Sequence, residues 1–344
     1  MPIRSKQLDS VTHIVLGACI GEAFFEKGFG KKAMLWGALA QSLPDIDFLS
    51  ALWLDIPGSM LAHRGFTHSF AFAVLIVPYL SLIAYHIHRP QGVRLRNWLL
   101  FFFVEIAVHL ALDSLNAYGI GWFEPFSHER FAFNLIFVAD PFFSLIPVLA
   151  FFRLLFLHSH SMKRSFWWKA GCLTPLIYIL VCFHHKMYIH RLIQKKLPNK
   201  ELVVSNFQTT PAPLQNFLWY VYAKTDSGFY TGYLNIFHGG NDYKPVFHRQ
   251  QEKLLNEVHD HESLQKLIRF SQGNYTIDKL NDTLYFQDIR FGQTYGWEDG
   301  ASPFVFRYAL IHGGNSRLHI QRGRMSSLES NHLKSLARRM FTKY

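Results

Sequence analysis

The sequence predicts an N-terminal all-α membrane helical bundle over residues 1–190, followed by a C-terminal soluble α+β domain with a mostly antiparallel sheet over residues 200–344. A length of 344 residues is enough for two such units. The chain is strongly apolar as far as Phe183, but no stretch after His190 is apolar enough to cross a membrane. In the second part, runs of aromatic and β-branched residues alternate with turn formers, which is the pattern of short strands.

Four stretches are long enough to cross about 30 Å of hydrocarbon as helices of about 20 residues. They are Phe66–His86, Asn97–Ala117, Leu135–Leu157 and Phe166–Phe183, the last being marginal in length. We expect Pro141, Pro147 and Pro175 to bend their helices, because proline removes a helical hydrogen bond.

Two shorter helical segments, Ser10–Glu26 and Lys31–Ser42, precede these spans and could be re-entrant, interfacial or packed inside the bundle. His13, Gly17 and Gly21 follow one another at steps of four residues, so they share one helix face. Small residues on that face let a neighbouring helix approach closely. We therefore expect His13 to point into a helix contact and not into lipid.

The C-terminal part mixes two kinds of pattern. The predicted strands are Phe217–Ala223, Phe229–Phe237, Thr283–Phe291 and Phe304–Ile311, and the predicted helices are Lys253–Phe270 and Ser326–Phe341. We find no internal repeat in the sequence, and the histidines of this part show no metal-ligand spacing.

The composition excludes some classes of partner and site. The net charge is +11, but basic residues beside apolar spans usually contact anionic lipid or set topology. Nothing resembles a nucleic-acid motif, so we expect membrane lipid and no nucleic acid as partner. The three cysteines, Cys19, Cys172 and Cys182, lie in apolar segments and imply neither a disulfide framework nor a cysteine zinc site.

Ionisable side chains beside hydrocarbon are the sign of a functional site. Here they are His13, Asp45, Asp47, His63, His68, His109 and Asp113. Imidazole nitrogen and carboxylate oxygen are ligands that divalent metals accept without any thiolate. If the chain crosses the membrane at each segment, the basic loops share one face and these side chains gather at the other. The positive-inside rule then directs the site outward.

Two short motifs carry the carboxylates. His109 and Asp113 are four apart on a helix, so one metal could take both, or Asp113 could bridge two metals, or it could simply orient His109. Asp45 and Asp47 flank Ile46, and an extended turn would direct both carboxylates to one side. Either residue could instead cap a following helix.

The motif His63-Arg64-Gly65-Phe66-Thr67-His68-Ser69 places two histidines five residues apart, so they converge only if the turn is tight. Arg64 beside a metal could pair with a phosphate, although a loop arginine is the alternative. We expect Asp47 to act as general base and Arg64 to hold a phosphate. The expected metal ligands are His13, Asp45, His63, His68, His109 and Asp113.

The motifs together resemble the bacterial family of membrane-bound metal-dependent hydrolases, the YdjM-like inner-membrane proteins, over roughly the first 190 residues. The resemblance is carried by Thr12-His13-x-x-x-Gly17, Pro44-Asp45-x-Asp47, the His63 to Ser69 motif, His109-x-x-x-Asp113, and Phe131-Ala132-Phe133-Asn134 followed by Asp140-Pro141.

A more distant resemblance is to zinc-dependent phospholipases C and P1-type nucleases. Their order of metal-binding His and Asp residues is similar to His13, Asp45, His68, His109 and Asp113. The chain lacks clear equivalents of their later His and His-xxx-Glu ligands, so this resemblance implies one or two ions and not three.

The predicted spans and the first resemblance imply a multi-pass protein of the bacterial inner (cell) membrane, and the positive-inside rule directs its metal site toward the periplasm. The expected activity is hydrolysis of a phosphoester in a lipid or lipid-linked substrate, with zinc as the divalent metal. A structural or signalling membrane protein with a stabilising metal site, and a transporter, remain as alternatives. The side of the membrane on which the C-terminal domain lies stays open.

Overall fold

The computed structural model describes residues 4–25, 29–196, 206–241, 243–312, 318–322 and 330–341. The chain divides into two compact units. The helical unit comprises Met1–Leu52 and Ala62–Cys182, and the sheet unit comprises Trp53–Leu61 and Phe183–Tyr344. An N-terminal region of apolar helices and a C-terminal domain of antiparallel sheets confirm the predicted α+β fold class.

Seven α-helices and three short 3₁₀ helices precede the first strand among the described residues. In chain order they are α1 (Arg4–Phe25), α2 (Lys31–Ser42), the 3₁₀ helix η1 (Pro44–Leu52), α3 (Ile56–Ala62), η2 (Phe66–His68), α4 (Phe70–Ile87), η3 (Arg89–Gln91), α5 (Leu95–Ser114), α6 (Pro141–Phe156) and α7 (Lys163–Lys196). In the described part of the chain, three of these are long and apolar enough to cross a membrane: α4, α5 and α7.

The predicted span at Leu135–Leu157 is too long, because α6 begins only at Pro141 and has 16 residues. The Asp140 side chain accepts a hydrogen bond from the Phe142 N–H and caps the helix. Pro141 occupies the first turn, where its missing N–H is not needed, so it starts the helix and does not bend it. The predicted marginal span Phe166–Phe183 is part of the 34-residue helix α7.

The long helix α7 packs against the rest of the helical unit through apolar side chains and through polar side chains near its start and its middle. Near its start, the buried Arg164 guanidinium donates to both carboxylate oxygens of Glu22 on α1. Near the middle of α7, the Tyr178 hydroxyl donates a hydrogen bond of 2.8 Å to the Asp140 carboxylate. Asp140 lines the same small cavity as His13.

Helices α1 and α2 are in backbone contact through glycines. A Cβ atom on Gly37 of α2 would overlap the carbonyl oxygen of Gly17, and one on Gly21 would overlap that of Ala33. This close approach buries His13, as the glycine spacing predicts, with α2 as the neighbouring helix.

The sheet unit contains two four-stranded antiparallel sheets, each with its strands in sequence order. The first has β1 (Asn206–Pro211), β2 (Leu218–Lys224), β3 (Gly228–Asn235) and β4 (Val246–Arg249), and is followed by the 3₁₀ helix η4 (Glu252–Glu257) and α8 (His261–Phe270). The second has β5 (Tyr275–Leu280), β6 (Thr283–Gln293), β7 (Phe304–His312) and β8 (Leu318–Arg322), and is followed by α9 (Ser330–Phe341).

Four strands followed by a helix occur twice in succession among the described residues. One expectation for this unit is wrong. The predicted helix Lys253–Phe270 is two helices, because the Asp260 side chain accepts a hydrogen bond from the Ser263 N–H and starts α8 anew. Side chains of both sheets and of α9 share one core, with Tyr233, Trp297 and Leu336 among its members.

The glycine contact between α1 and α2 gives a first prediction. We expect Gly37→Val to lower the free energy of unfolding by about 1–3 kcal/mol, because the added atoms would overpack the contact. Thermal unfolding in detergent would measure it. Leu35→Val on the exposed side of the same helix is the control and should change stability by less than about 0.5 kcal/mol. Equal losses in the two variants would contradict the packing argument.

Candidate metal centre

Four side chains from three elements meet at one end of the helical unit. Asp45 comes from η1, His68 from η2, and His109 and Asp113 from α5. One ligand atom of each lies within 4.8 Å of those of the other three. These four residues form a group that could hold a metal ion, and all four are among the predicted ligands.

The distances suit a small divalent ion. His68 Nε2 lies 3.2 Å from His109 Nε2, 3.1 Å from Asp113 Oδ2 and 3.6 Å from Asp45 Oδ1. His109 Nε2 lies 3.8 Å from Asp113 Oδ2. Zinc bonds of about 2.0–2.1 Å place tetrahedral ligand atoms about 3.3 Å apart. The four distances above lie around that spacing, and His109 Nε2 lies 4.0 Å from Asp45 Oδ1.

Hydrogen bonds to the other ring nitrogens show which way the imidazole lone pairs point. His109 Nδ1 lies 2.7 Å from the backbone oxygen of Gln41, which can only accept, so Nδ1 carries the proton. His68 Nδ1 lies 3.3 Å from a carboxylate oxygen of Asp47, which orients that ring in the same way. In their neutral forms both rings therefore direct an Nε2 lone pair at the other. Two lone pairs 3.2 Å apart repel unless a proton or a cation lies between them.

The charges around His68 favour a cation. Burial opposes a charge on this ring, but the carboxylates of Asp113, Asp45 and Asp47 outweigh it and raise the pKa of His68 to about 10. Burial likewise opposes ionisation of Asp45, but its hydrogen bond with His68 outweighs burial and lowers the pKa of Asp45. The pocket thus attracts positive charge, which a metal ion supplies as well as a proton does.

Asp47 and His63 lie beside the four-residue group. The Asp47 carboxylate accepts hydrogen bonds from the Arg64 N–H at 2.6 Å and the Thr67 hydroxyl at 3.2 Å, and it lies 2.9 Å from His63 Nδ1. These bonds close the tight turn that brings His68 inward, with Arg64 in the left-handed region at φ 57°. His63 contacts Asp47 and is not in the four-residue group, so its role as ligand stays a prediction.

His13 and Arg64 contact the candidate ligand Asp113. His13 Nε2 lies 3.1 Å from Asp113 Oδ1, and its Nδ1 lies 3.2 Å from the Gln41 side-chain oxygen. Arg64 Nε lies 3.0 Å from Asp113 Oδ2. Both His13 nitrogens face oxygens that can accept a hydrogen bond, which favours orienting the carboxylate over binding a metal. His13 as a ligand stays a prediction.

Two further residues complete the site, and the sequence analysis did not select them. Asn116 accepts a hydrogen bond from Arg64 Nη1 at 2.7 Å. Gln41 contacts His13 and His109 and donates to the backbone oxygen of Glu105 at 2.8 Å. The sequence feature that could have identified them is their position beside the motifs. Asn116 follows Asp113 by three residues, and Gln41 precedes the Pro44-Asp45 motif by three.

The loop between α5 and α6 contacts the His63 turn from outside. Arg130 Nη2 donates to the backbone oxygen of His63 at 2.8 Å, and the Gly121 N–H donates to that of Arg64 at 3.0 Å. His128 is exposed and pairs with Glu124 at 2.8 Å. The loop therefore supports the turn that carries His68.

The sequence matches the YdjM inner membrane protein family over residues 8–189, more than half of the chain. The chain belongs to this family. It is 36% identical to the inner membrane protein YbcI of Escherichia coli (strain K12) over 123 residues, which cover 35% of this chain and 69% of that protein. It is 26% identical to the protein YfhP of Bacillus subtilis (strain 168) over 331 residues, which cover 90% of this chain and 92% of that protein. No solved structure matches significantly.

The YdjM match includes all four residues of the candidate metal centre. Membership in a family of inner membrane proteins agrees with the three apolar helices long enough to span. The chain is therefore a membrane protein, and the described part of it carries a candidate metal site at one end of its helical unit.

The site predicts which variants lose the metal. We expect His68→Ala or Asp113→Ala to abolish metal binding. Each change removes one of the four ligand atoms, and three ligand atoms hold the ion too weakly. Elemental analysis of protein purified in detergent would measure the metal content. His86→Ala, an exposed histidine on α4, should keep the full content. Full metal content in Asp113→Ala would remove that residue from the site.

A change at Asp47, which contacts His68 beside the candidate metal centre, should have a weaker effect on metal binding. We expect Asp47→Asn to lower metal affinity by about 10–100-fold while leaving the stoichiometry at saturation unchanged, because it orients His68 without binding the ion itself. Competition with a chromophoric chelator would give the affinity. Asp55→Asn is the matched control, since Asp55 is exposed and pairs with Lys266. A change in saturating stoichiometry would make Asp47 a ligand.

Proposed function

We propose that the protein is a membrane-bound, metal-dependent hydrolase that cleaves a phosphoester of a lipid or lipid-linked substrate, with zinc as one or two ions. The observation that carries the proposal is the pair of imidazole Nε2 atoms, 3.2 Å apart, that face each other between two carboxylates. Two neutral imidazoles and two carboxylates are a donor set suited to zinc.

The exposure of the ligands supports a reactive role. The side chains of His68 and His109 are fully buried and that of Asp113 is 1% exposed, whereas that of Asp45 is 21% exposed. Of the four candidate ligands, only Asp45 is therefore accessible from the surface. Water and a substrate oxygen could reach it there, as catalytic metal sites require.

A divalent ion bound in this group would supply Lewis acidity that activates water and polarises a phosphoryl oxygen. Asp47 holds His68 by hydrogen bonds that occupy its carboxylate, which favours a positioning role for Asp47 over that of general base. Arg64 is buried between Asp113 and Asn116, so it positions Asp113 and brings positive charge beside the place where a phosphoryl group would bind.

We further propose a multi-pass topology with the site facing the periplasm. Asp113 is at the C-terminal end of α5, and Arg94 and Arg96 lie at its N-terminal end. Arg89 belongs to the same loop. Basic loops remain on the cytoplasmic side, so the opposite end of α5 lies outside.

A structural metal site is the second candidate, and one observation favours it. Four protein ligands complete a tetrahedron without a substrate position, as in structural zinc sites. On this alternative the ion would fasten η1, η2 and α5 together, and the protein would gain stability from zinc but no activity.

One experiment separates the two. We expect zinc-loaded protein in detergent to hydrolyse a phosphoester such as bis-p-nitrophenyl phosphate or a phospholipid in mixed micelles, because the centre is open at Asp45. Removing zinc with a chelator should abolish hydrolysis and adding it back should restore it. His109→Ala should be inactive, and the exposed-histidine variant His86→Ala should be active. Zinc that raises the melting temperature of a protein without hydrolytic activity would support the structural alternative.

A further inference from the structure

The 3₁₀ helix η1, which carries Asp45, has an apolar surface beside the mouth of the metal centre. In a 3₁₀ helix, side chains three residues apart lie on one line. Asp47 and Ser50 form a buried line, whereas Ile46, Leu49 and Leu52 form an exposed one. Leu52 is 79% exposed.

On the third side of η1, the candidate ligand Asp45 is next to an exposed aromatic side chain. Asp45 and Phe48 are three residues apart, so Phe48 stands next to Asp45 along the helix. Phe48 is 58% exposed, and Asp45 is the ligand at the open side of the centre. A substrate that reaches Asp45 from this side passes an apolar surface.

That surface continues onto a helix suited to cross the membrane. Helix η1 packs against η2, where Phe66 is exposed, and Phe70 is exposed at the start of α4. Further along α4, which is long and apolar enough to cross a membrane, Val74 and Leu75 are also exposed. We call the six exposed side chains at the mouth the apolar rim: Ile46, Phe48, Leu49, Leu52, Phe66 and Phe70.

We propose that the apolar rim lies in the hydrocarbon of the membrane leaflet and that substrate reaches Asp45 from the lipid side. The rim includes Phe66 and Phe70, which lead into α4, a helix long and apolar enough to cross a membrane, and acyl chains are the occupant that such a surface accepts without polar partners. An amphiphile would rest its chains on Phe48 and Leu49 and present its phosphoester to the centre. This inference deepens the proposed function and rests on it for the identity of the substrate.

The position of the rim can be measured without any activity. The full chain carrying Phe48→Cys, labelled with a small fluorophore, is placed in vesicles of phosphatidylethanolamine and phosphatidylglycerol with or without bromine on the acyl chains. We expect quenching at position 48 to approach that of Leu75→Cys on α4. Leu280→Cys, exposed on β5 of the sheet unit, is the unquenched control. All labelled variants also carry Cys172→Ser, because Cys172 is partly exposed whereas Cys19 and Cys182 are buried, and the Cys172→Ser protein without an added cysteine gives the background. Quenching at position 48 as low as at 280 would overturn the proposal.

The route of the substrate is tested by comparing two probes. We expect the double variant Phe48→Ser with Leu49→Ser to lose about tenfold or more of its rate on vesicle phospholipid, since each apolar side chain contributes that much to partition into hydrocarbon. Its rate on bis-p-nitrophenyl phosphate and its zinc content should not change. Equal losses on both probes would overturn access from the lipid side. A wild-type protein that hydrolyses neither probe would overturn the proposed function and substrate access, and the quenching result would still decide where the rim lies.

Discussion

The charge of Asp113 is the constraint on which the helical unit depends. This carboxylate is buried at the end of an apolar helix, where an unpaired charge is very costly. Three elements bring compensating groups to it: His13 from α1, Arg64 from the turn after α3, and His68 from η2. If any of these elements moved away, the buried carboxylate would lose one of its three partners. The positions of α1, the turn and η2 are therefore coupled through one side chain.

The glycine contact makes that arrangement sterically feasible. Gly17 and Gly37 let α1, which carries His13, lie directly against the backbone of α2, and His13 contacts Asp113 from there. The same contact brings Gln41 of α2 to His13 and to His109. A hydrogen bond to the Gln41 backbone oxygen then sets the direction of the His109 lone pair. Packing of small residues in the apolar interior thus determines the geometry of polar atoms at its edge.

The two histidines of the His63 to Ser69 motif illustrate how far a local pattern leads. They have the same side chain in the same motif, but only His68 joins the four-residue group. The difference lies in Asp47, whose carboxylate accepts from the Arg64 and Thr67 positions of the turn and so closes it around itself. His63 contacts Asp47 on the other oxygen. One residue, which precedes its hydrogen-bonding partners in the turn by 16 to 20 positions, decides which ring points inward, and spacing within the motif contains no such information.

The sequence by itself determined the division into apolar helices and antiparallel sheets, because hydrophobic period and run length are local properties. It also determined the residue types of the candidate metal centre, since His and Asp beside hydrocarbon are too costly to be incidental. Only the tertiary structure decided that Asp45, His68, His109 and Asp113 meet, that Asp140 delays the start of α6, and that the sheet unit repeats its element order. These depend on contacts between distant residues, on one capping hydrogen bond, and on strand pairing that divergent side chains can satisfy equally well.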